Sequence, residues 1–120
     1  MKKKIYKKII CFDIDGVICI TKNNKYESSK PNKKTISLIN KLYDSNFYIK
    51  LFTARYMGRN QENCFKAKKQ GLKLTKNQLN NWKVKYHELI MCKPSYDLFI
   101  DDKNLGFNQN WYKDIEKKLL

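Results

Sequence analysis

Apolar positions along this 120-residue chain switch between short dense runs and residues spaced three and four apart. "KIICFDI" (8–14) is β-branched and aromatic, and long enough for a strand buried on both faces. A polar loop, "TKNNKYESSKPN" (21–32), ends in Pro31 and Asn32, which signal a helix start. Ile36, Ile39, Leu42 and Tyr43 then recur at helical spacing, and "DSN" (44–46) closes the segment. "FYIKLFTA" (47–54) predicts a second strand, and "GRNQENCFKAKKQG" (58–71) a helix stopped by Gly71. Thr75 is expected to cap a separate short helix carrying Leu79 and Trp82. "YHELIMC" (86–92) and "YDLFIDD" (96–102) predict two more strands, and "WYKDIEKKLL" (111–120) a closing amphipathic helix.

Strands that alternate with helices predict an α/β architecture with a mostly parallel sheet. Ligands in such sheets bind at the carboxyl ends of the strands. Asp13, Asp15, Thr53, Lys93, Asp101 and Asp102 all fall at such ends. Two carboxylates separated only by Ile14 repel and resist desolvation, so a buried site there needs a compensating cation.

The length suits one domain, 1–120, and no apolar run reaches the roughly 20 residues of a membrane span. The basic start "MKKKIYKKII" runs straight into Asp13 and Asp15, unlike a signal peptide. The formal charge of +15 invites a nucleic-acid surface. However, Arg55 and Arg59 are the only arginines, and the lysines are spread along the whole chain. That balance suits codon bias better than a dedicated nucleic-acid partner, and the Lys2–Lys8 cluster is expected to be solvated. Cys11, Cys19, Cys64 and Cys92 form no CxxC pair or zinc spacing, so reduced thiols in a cytoplasmic protein are expected. His87 is read as structural, and Trp82 and Trp111 as packing residues.

"FDIDGVI", "LFTAR", Lys93 before Pro94 and "FIDD" together resemble, in order, the four motifs of the haloacid dehalogenase superfamily of phosphohydrolases. "YHELIMCKPSYDLFIDDKNL" and "FTARYMGRN" are similar to its small phosphatases of bacterial capsule and surface-polysaccharide biosynthesis. The resemblance implies a three-layer Rossmann-like fold with helices on both faces of the sheet. It implies Asp13 as the nucleophile forming an aspartyl-phosphate and Asp15 as the acid and base. Thr53 and Lys93 would bind and neutralise the transferring group, and Ala54 would sit in the phosphate site. Mg²⁺ is implied on Asp13, Asp15 (through its backbone carbonyl), Asp101 and Asp102, with Asp102 expected as a direct ligand and Asp101 acting through water or on Lys93. Gly16 is expected to let the chain turn sharply after Asp15. Arg55 and Arg59 are candidates for a second anionic group of the substrate.

Thr53 follows Asp15 by 38 positions and Lys93 follows Thr53 by 40, which leaves no room for the family's inserted cap domain. An uncapped site suits a bulky substrate or one walled by a second subunit, so a homo-oligomer is considered. Tyr26 lies in the sizeable flap at 17–31. The expected substrate is a phosphorylated sugar or sugar–nucleotide conjugate; the alternative is a nucleic-acid 3′-end phosphatase using the basic surface.

Overall fold

The computed structural model describes residues 5–120, so Lys2, Lys3 and Lys4 of the amino-terminal cluster lie outside the described residues. The described residues form a three-stranded parallel sheet, a two-stranded hairpin and three α-helices. Strand β1 (Ile9–Phe12) leads into hairpin strands β2 (Cys19–Ile20) and β3 (Lys30–Pro31), with a 3₁₀ turn at Tyr26–Ser28 between them. Helix α1 (Lys33–Asp44), strand β4 (Tyr48–Phe52), helix α2 (Cys64–Asn81), strand β5 (Glu88–Ile90) and helix α3 (Trp111–Leu119) follow. The sheet order is β1-β4-β5, with Phe12 beside Leu51 and Leu51 beside Leu89.

Helix α1 starts where the sequence signals it, with the Asn32 side chain accepting from the Thr35 N–H at 3.3 Å. Ile36, Leu38, Ile39 and Leu42 of α1 join Phe12, Ile49, Leu51, Leu79 and Trp111 in one core. Register and strand alternation put Ile10, Phe12, Ile49, Leu51 and Leu89 on the same sheet face. The alternate residues Ile9, Cys11, Lys50 and Glu88 lie on the other face, where Lys50 and Glu88 pair at 4.0 Å. Burial of the described strand residues is therefore greater on the first face. β1 is consequently not buried on both faces: Ile9 is 64% exposed and Cys11 is exposed.

Three other expectations are corrected. Gly71 does not end a helix and Thr75 does not begin one, because α2 runs unbroken through both. Gly71 is there for close approach: a Cβ would lie 2.3 Å from Cδ2 of Tyr56. Helix α2 begins only at Cys64, capped by the Asn63 side chain on the Lys66 N–H at 3.0 Å. The residues before it are a 3₁₀ turn (Gly58–Asn60) and a left-handed pair, Gln61 and Glu62.

The run 96–102 forms no strand; Leu98 is 78% and Ile100 86% exposed. No strand among the described residues pairs with the outer edge of β1. A groove of about 680 Å³ lies there, lined by Ile9, Cys11, Phe99, Asp101, Phe107 and Trp111 among others.

Finally, Cys64 and Cys92 are disulfide-bonded across 28 positions, in place of the expected free thiols. A loop that long loses about 3–4 kcal/mol of unfolded-state entropy when closed. Trp111 is buried, and His87 stacks on Tyr43 and Tyr48 while its Nδ1 accepts from the Ile49 N–H at 2.9 Å, in agreement with their structural readings. No helix among the described residues is long and apolar enough to cross a membrane.

Replacing Gly71 by Ala gains up to about 1 kcal/mol of helix propensity. The clash with the buried Tyr56 ring costs about 1–3 kcal/mol. Gly71→Ala is therefore expected to lower the urea midpoint at unchanged m-value, and a raised midpoint would refute the packing account.

Candidate active site

The chain leaves β1 at Asp13 and turns at once. Asp13 Oδ1 accepts from the Ile14 N–H at 2.7 Å, and Gly16 takes φ +85°, as the sharp departure demands. The Ile14 carbonyl then accepts from the Ile18 N–H at 2.8 Å, which fixes the short turn into the hairpin. Asp13 and Asp15 consequently emerge on the same hollow, of about 250 Å³, at the carboxyl edge of the sheet. Asn24, Tyr26, Ala54, Arg55, Lys93 and Tyr96 share that lining.

Each carboxylate has its own cation. Lys93 Nζ lies 3.5 Å from Asp13 Oδ2. Lys93 is placed by its own N–H, which donates to the Thr53 carbonyl at 3.1 Å just beyond β4 and β5. Its Nζ also lies 5.2 Å from the Tyr96 ring centre and 5.0 Å from that of Phe99. Desolvation lowers the Lys93 pKa, but hydrogen bonding to Tyr96 and the Asp13 charge outweigh it and hold the group above its ordinary value. Burial pushes the Asp13 carboxyl up, and the Lys93 charge offsets this only in part.

Asp15 is held by Arg55. Nε of Arg55 donates to Oδ2 at 3.0 Å and Nη2 to Oδ1 at 2.9 Å, a forked contact. Arg55 is 1% exposed, and its remaining donors reach Gln78 Oε1 at 2.5 Å, Thr75 Oγ1 at 3.3 Å and Ser29 Oγ at 3.4 Å. The Thr21 hydroxyl donates to Asp15 Oδ1 at 2.5 Å, and Gln78 Nε2 donates to the Tyr26 carbonyl at 2.5 Å. Helix α2, the hairpin and the turn after β4 are thereby tied to one carboxylate.

The other expected residues divide. Thr53 is fully buried, and its hydroxyl oxygen accepts from the Arg55 N–H at 3.1 Å, so it shapes the turn that aims Arg55. Ala54 lines the hollow. Arg59 is exposed; its Nη2 donates to the Asn24 carbonyl at 2.7 Å, and its guanidinium lies 4.6 Å from the Tyr56 ring centre. It pins the flap from outside.

The structure places Asp101 with Asp13 and Lys93 in the lining of the groove beside β1, while neither Asp101 nor Asp102 lines the hollow shared by Asp13 and Asp15. Both are exposed, and Asp101 Oδ1 accepts from the Lys103 N–H at 2.9 Å. Without ladder bonds between the run 96–102 and β1, the carboxyl end of the run lies at the groove and not in the hollow. No group of three or more His, Cys, Asp or Glu among the described residues could hold a metal ion. A hard divalent ion needs several oxygen ligands, and both oxygens of Asp15 face a guanidinium.

Gln78, Thr75, Thr21, Ser29 and Tyr96 were not identified from sequence. Their roles depend on contacts across 20 or more positions or on polar residues without a distinctive motif, except that Thr21 lies close behind the "DID" run.

No protein-family model and no curated protein matches the chain. Among solved structures it is similar to a structural-genomics target from Vibrio cholerae, at 22% identity and TM-score 0.77, covering 92% of this chain and 98% of that one. It is also similar to chains in two structures of the Pnkp1/Rnl/Hen1 RNA repair complex. One has 12% identity and TM-score 0.52, covering 94% of this chain and 32% of that one. The other has 14% identity and TM-score 0.54, covering 98% and 36%. The chain thus spans about a third of those proteins, and at these identities the likeness is one of fold.

The raised Asp13 pKa has a stability consequence. The native state binds the Asp13 proton more tightly than the unfolded chain, so this group's contribution falls as pH rises from the ordinary carboxyl value of 3.8 through the raised native one. The stability of Asp13→Asn relative to the natural protein should shift in the variant's favour across that window. Urea titrations between about pH 3 and pH 7 measure this, and a flat difference would contradict it.

Proposed function

We propose that this protein is a phosphomonoesterase that uses Asp13 as its nucleophile. An Asp13 carboxylate oxygen attacks phosphorus, the ester P–O bond breaks, and the leaving oxygen takes a proton from Asp15. Water then attacks the aspartyl-phosphate while Asp15 takes its proton, which releases inorganic phosphate and restores both carboxyl groups. Lys93 neutralises charge at Asp13 and the transferring group. Arg55 orients Asp15.

The observation that carries this reading is the pairing of Asp13 with Lys93 at 3.5 Å, with Asp15 two residues on, in one hollow at the strand ends. The motif resemblance to the haloacid dehalogenase superfamily supports the reaction class and the expected Rossmann-like layering. Magnesium enters the proposal through that resemblance alone. A phosphorylated sugar or sugar–nucleotide conjugate for surface polysaccharide remains the proposed substrate. The intervals between the motifs are taken up by the hairpin, α1 and α2, which leaves the hollow open to a bulky ester.

A second reading has its own support. The charge of +15 and the fold likeness to chains of an RNA repair complex favour a nucleic-acid end phosphatase. Its affinity for a 3′-phosphorylated oligonucleotide should then fall by roughly 10³-fold or more between 50 and 200 mM salt. Sugar phosphates would show no such slope.

With magnesium present, Asp13→Asn is expected to lower kcat on the best ester of a sugar-phosphate, nucleotide-sugar and oligonucleotide panel by about 10³-fold or more. It should also abolish acid-stable, hydroxylamine-labile phosphate on the protein. EDTA should stop turnover and Mg²⁺ restore it. Full turnover by Asp13→Asn would refute the proposal.

A further inference from the structure

Cys64 is the first residue of α2, and Cys92 immediately precedes Lys93. Their bond joins the two parts of the molecule that hold the two site carboxylates. On one side α2 carries Thr75 and Gln78, which brace Arg55 against Asp15. On the other, the residue after Cys92 is the cation of Asp13. Cys92 itself sits at φ +76°, a left-handed conformation that L residues other than Gly rarely adopt. A second, non-covalent link joins the same segments: the Ser95 N–H and hydroxyl donate to the Glu62 carboxylate at 2.8 and 2.7 Å. Cys64 is exposed and Cys92 half-buried, so solvent reagents reach the pair. The other two cysteines are free of disulfides; Cys19 is buried and Cys11 faces the groove beside β1.

We propose that Cys64 and Cys92 are a reversible redox-modification site that controls the placement of Lys93. In the oxidised state the bridge holds Cys92 in its left-handed turn and Lys93 over Asp13. A dithiol reductant opens it. One thiolate of the reductant attacks Sγ of the exposed Cys64, the S–S bond breaks, and Cys92 leaves as a thiolate that takes up a proton. The second thiol of the reductant then resolves the mixed disulfide. Cys64 is released as a thiol and the reductant becomes a disulfide, so the protein gains two electrons and two protons. With the tie gone, Cys92 relaxes towards ordinary backbone angles, and the Lys93 N–H loses its fixed bond to the Thr53 carbonyl. The effect on catalysis rests on the reading of Asp13 and Lys93 as the reacting pair.

The test uses the whole chain, air-oxidised or reduced with dithiothreitol. Alkylation after unfolding should label Cys11 and Cys19 alone in the oxidised protein and all four cysteines in the reduced one. Reduction should speed hydrogen exchange at the Lys93 amide by about tenfold or more. It should also lower kcat on the best phosphate ester by a similar factor. Cys64→Ser and Cys92→Ser should each exchange and turn over like the reduced protein and ignore dithiothreitol; the titration of the natural protein stands by itself if either variant fails to fold. Four free thiols in air-oxidised protein would overturn the proposal, as would equal Lys93 exchange in both states. Equal turnover in both states, with hydrolysis intact, would refute the switch and leave the phosphatase reading standing. A redox-responsive Lys93 amide in a protein that hydrolyses no ester would sustain the switch and sink the phosphatase reading.

Discussion

Two carboxylates stand one residue apart at the end of β1 because each is neutralised separately. Lys93 approaches Asp13 from beyond β5, and Arg55 grips Asp15 from beyond β4. Sharing one cation would leave both charges competing for it. Separate partners let the pair lie in a hollow that is only partly open to water. The Arg55 contact has the larger structural reach. A guanidinium that is 1% exposed is costly to desolvate and is tolerable only when every donor finds an acceptor. The fold meets that demand with Asp15, Gln78, Thr75 and Ser29, taken from three separate parts of the chain.

Helix α2 carries much of this load along a single stripe. Ala67, Gly71, Thr75 and Gln78 follow one another at steps of four and three, with Leu79 four after Thr75, so they face inwards together, and the exposed Cys64 stands three before Ala67 at the amino end. From its amino end the stripe provides the disulfide, a buried Ala67, the notch for Tyr56, two acceptors for Arg55 and a core leucine. Broken at Gly71, the helix would present Arg55 with neither Thr75 nor Gln78. Continuity of α2 and neutralisation of Asp15 are thus one structural requirement.

The opposite side of the site is built differently. Phe99 and Tyr96 lie against Lys93, yet the run they belong to makes no ladder with β1. An apolar alternating segment can pair with an edge, but pairing also needs that edge to be offered at the right distance and register. Here a groove intervenes, and the carboxylates at the end of the run stay in solvent. The charge balance of the hollow therefore rests on side-chain cations.

Local periodicity and caps determined much of the fold. The Asn32 cap, the apolar face of α1, the β4 run and the closing helix all depend on residues within a few positions of one another, so the sequence displays them directly. The turn at Gly16 and the return of Asp15 to the side of Asp13 are local for the same reason. Tertiary structure decided whatever needed two distant segments. Gly71 and Thr75 look like helix punctuation until Tyr56 and Arg55 are placed beside them. Arg55 looks like a free hand for substrate until Asp15 and Gln78 occupy it. Cys64 and Cys92 look like isolated thiols until the turn before Lys93 meets the start of α2. Chain spacing cannot encode these meetings, because a side chain's partner is set by which surfaces fold together and not by its neighbours in sequence.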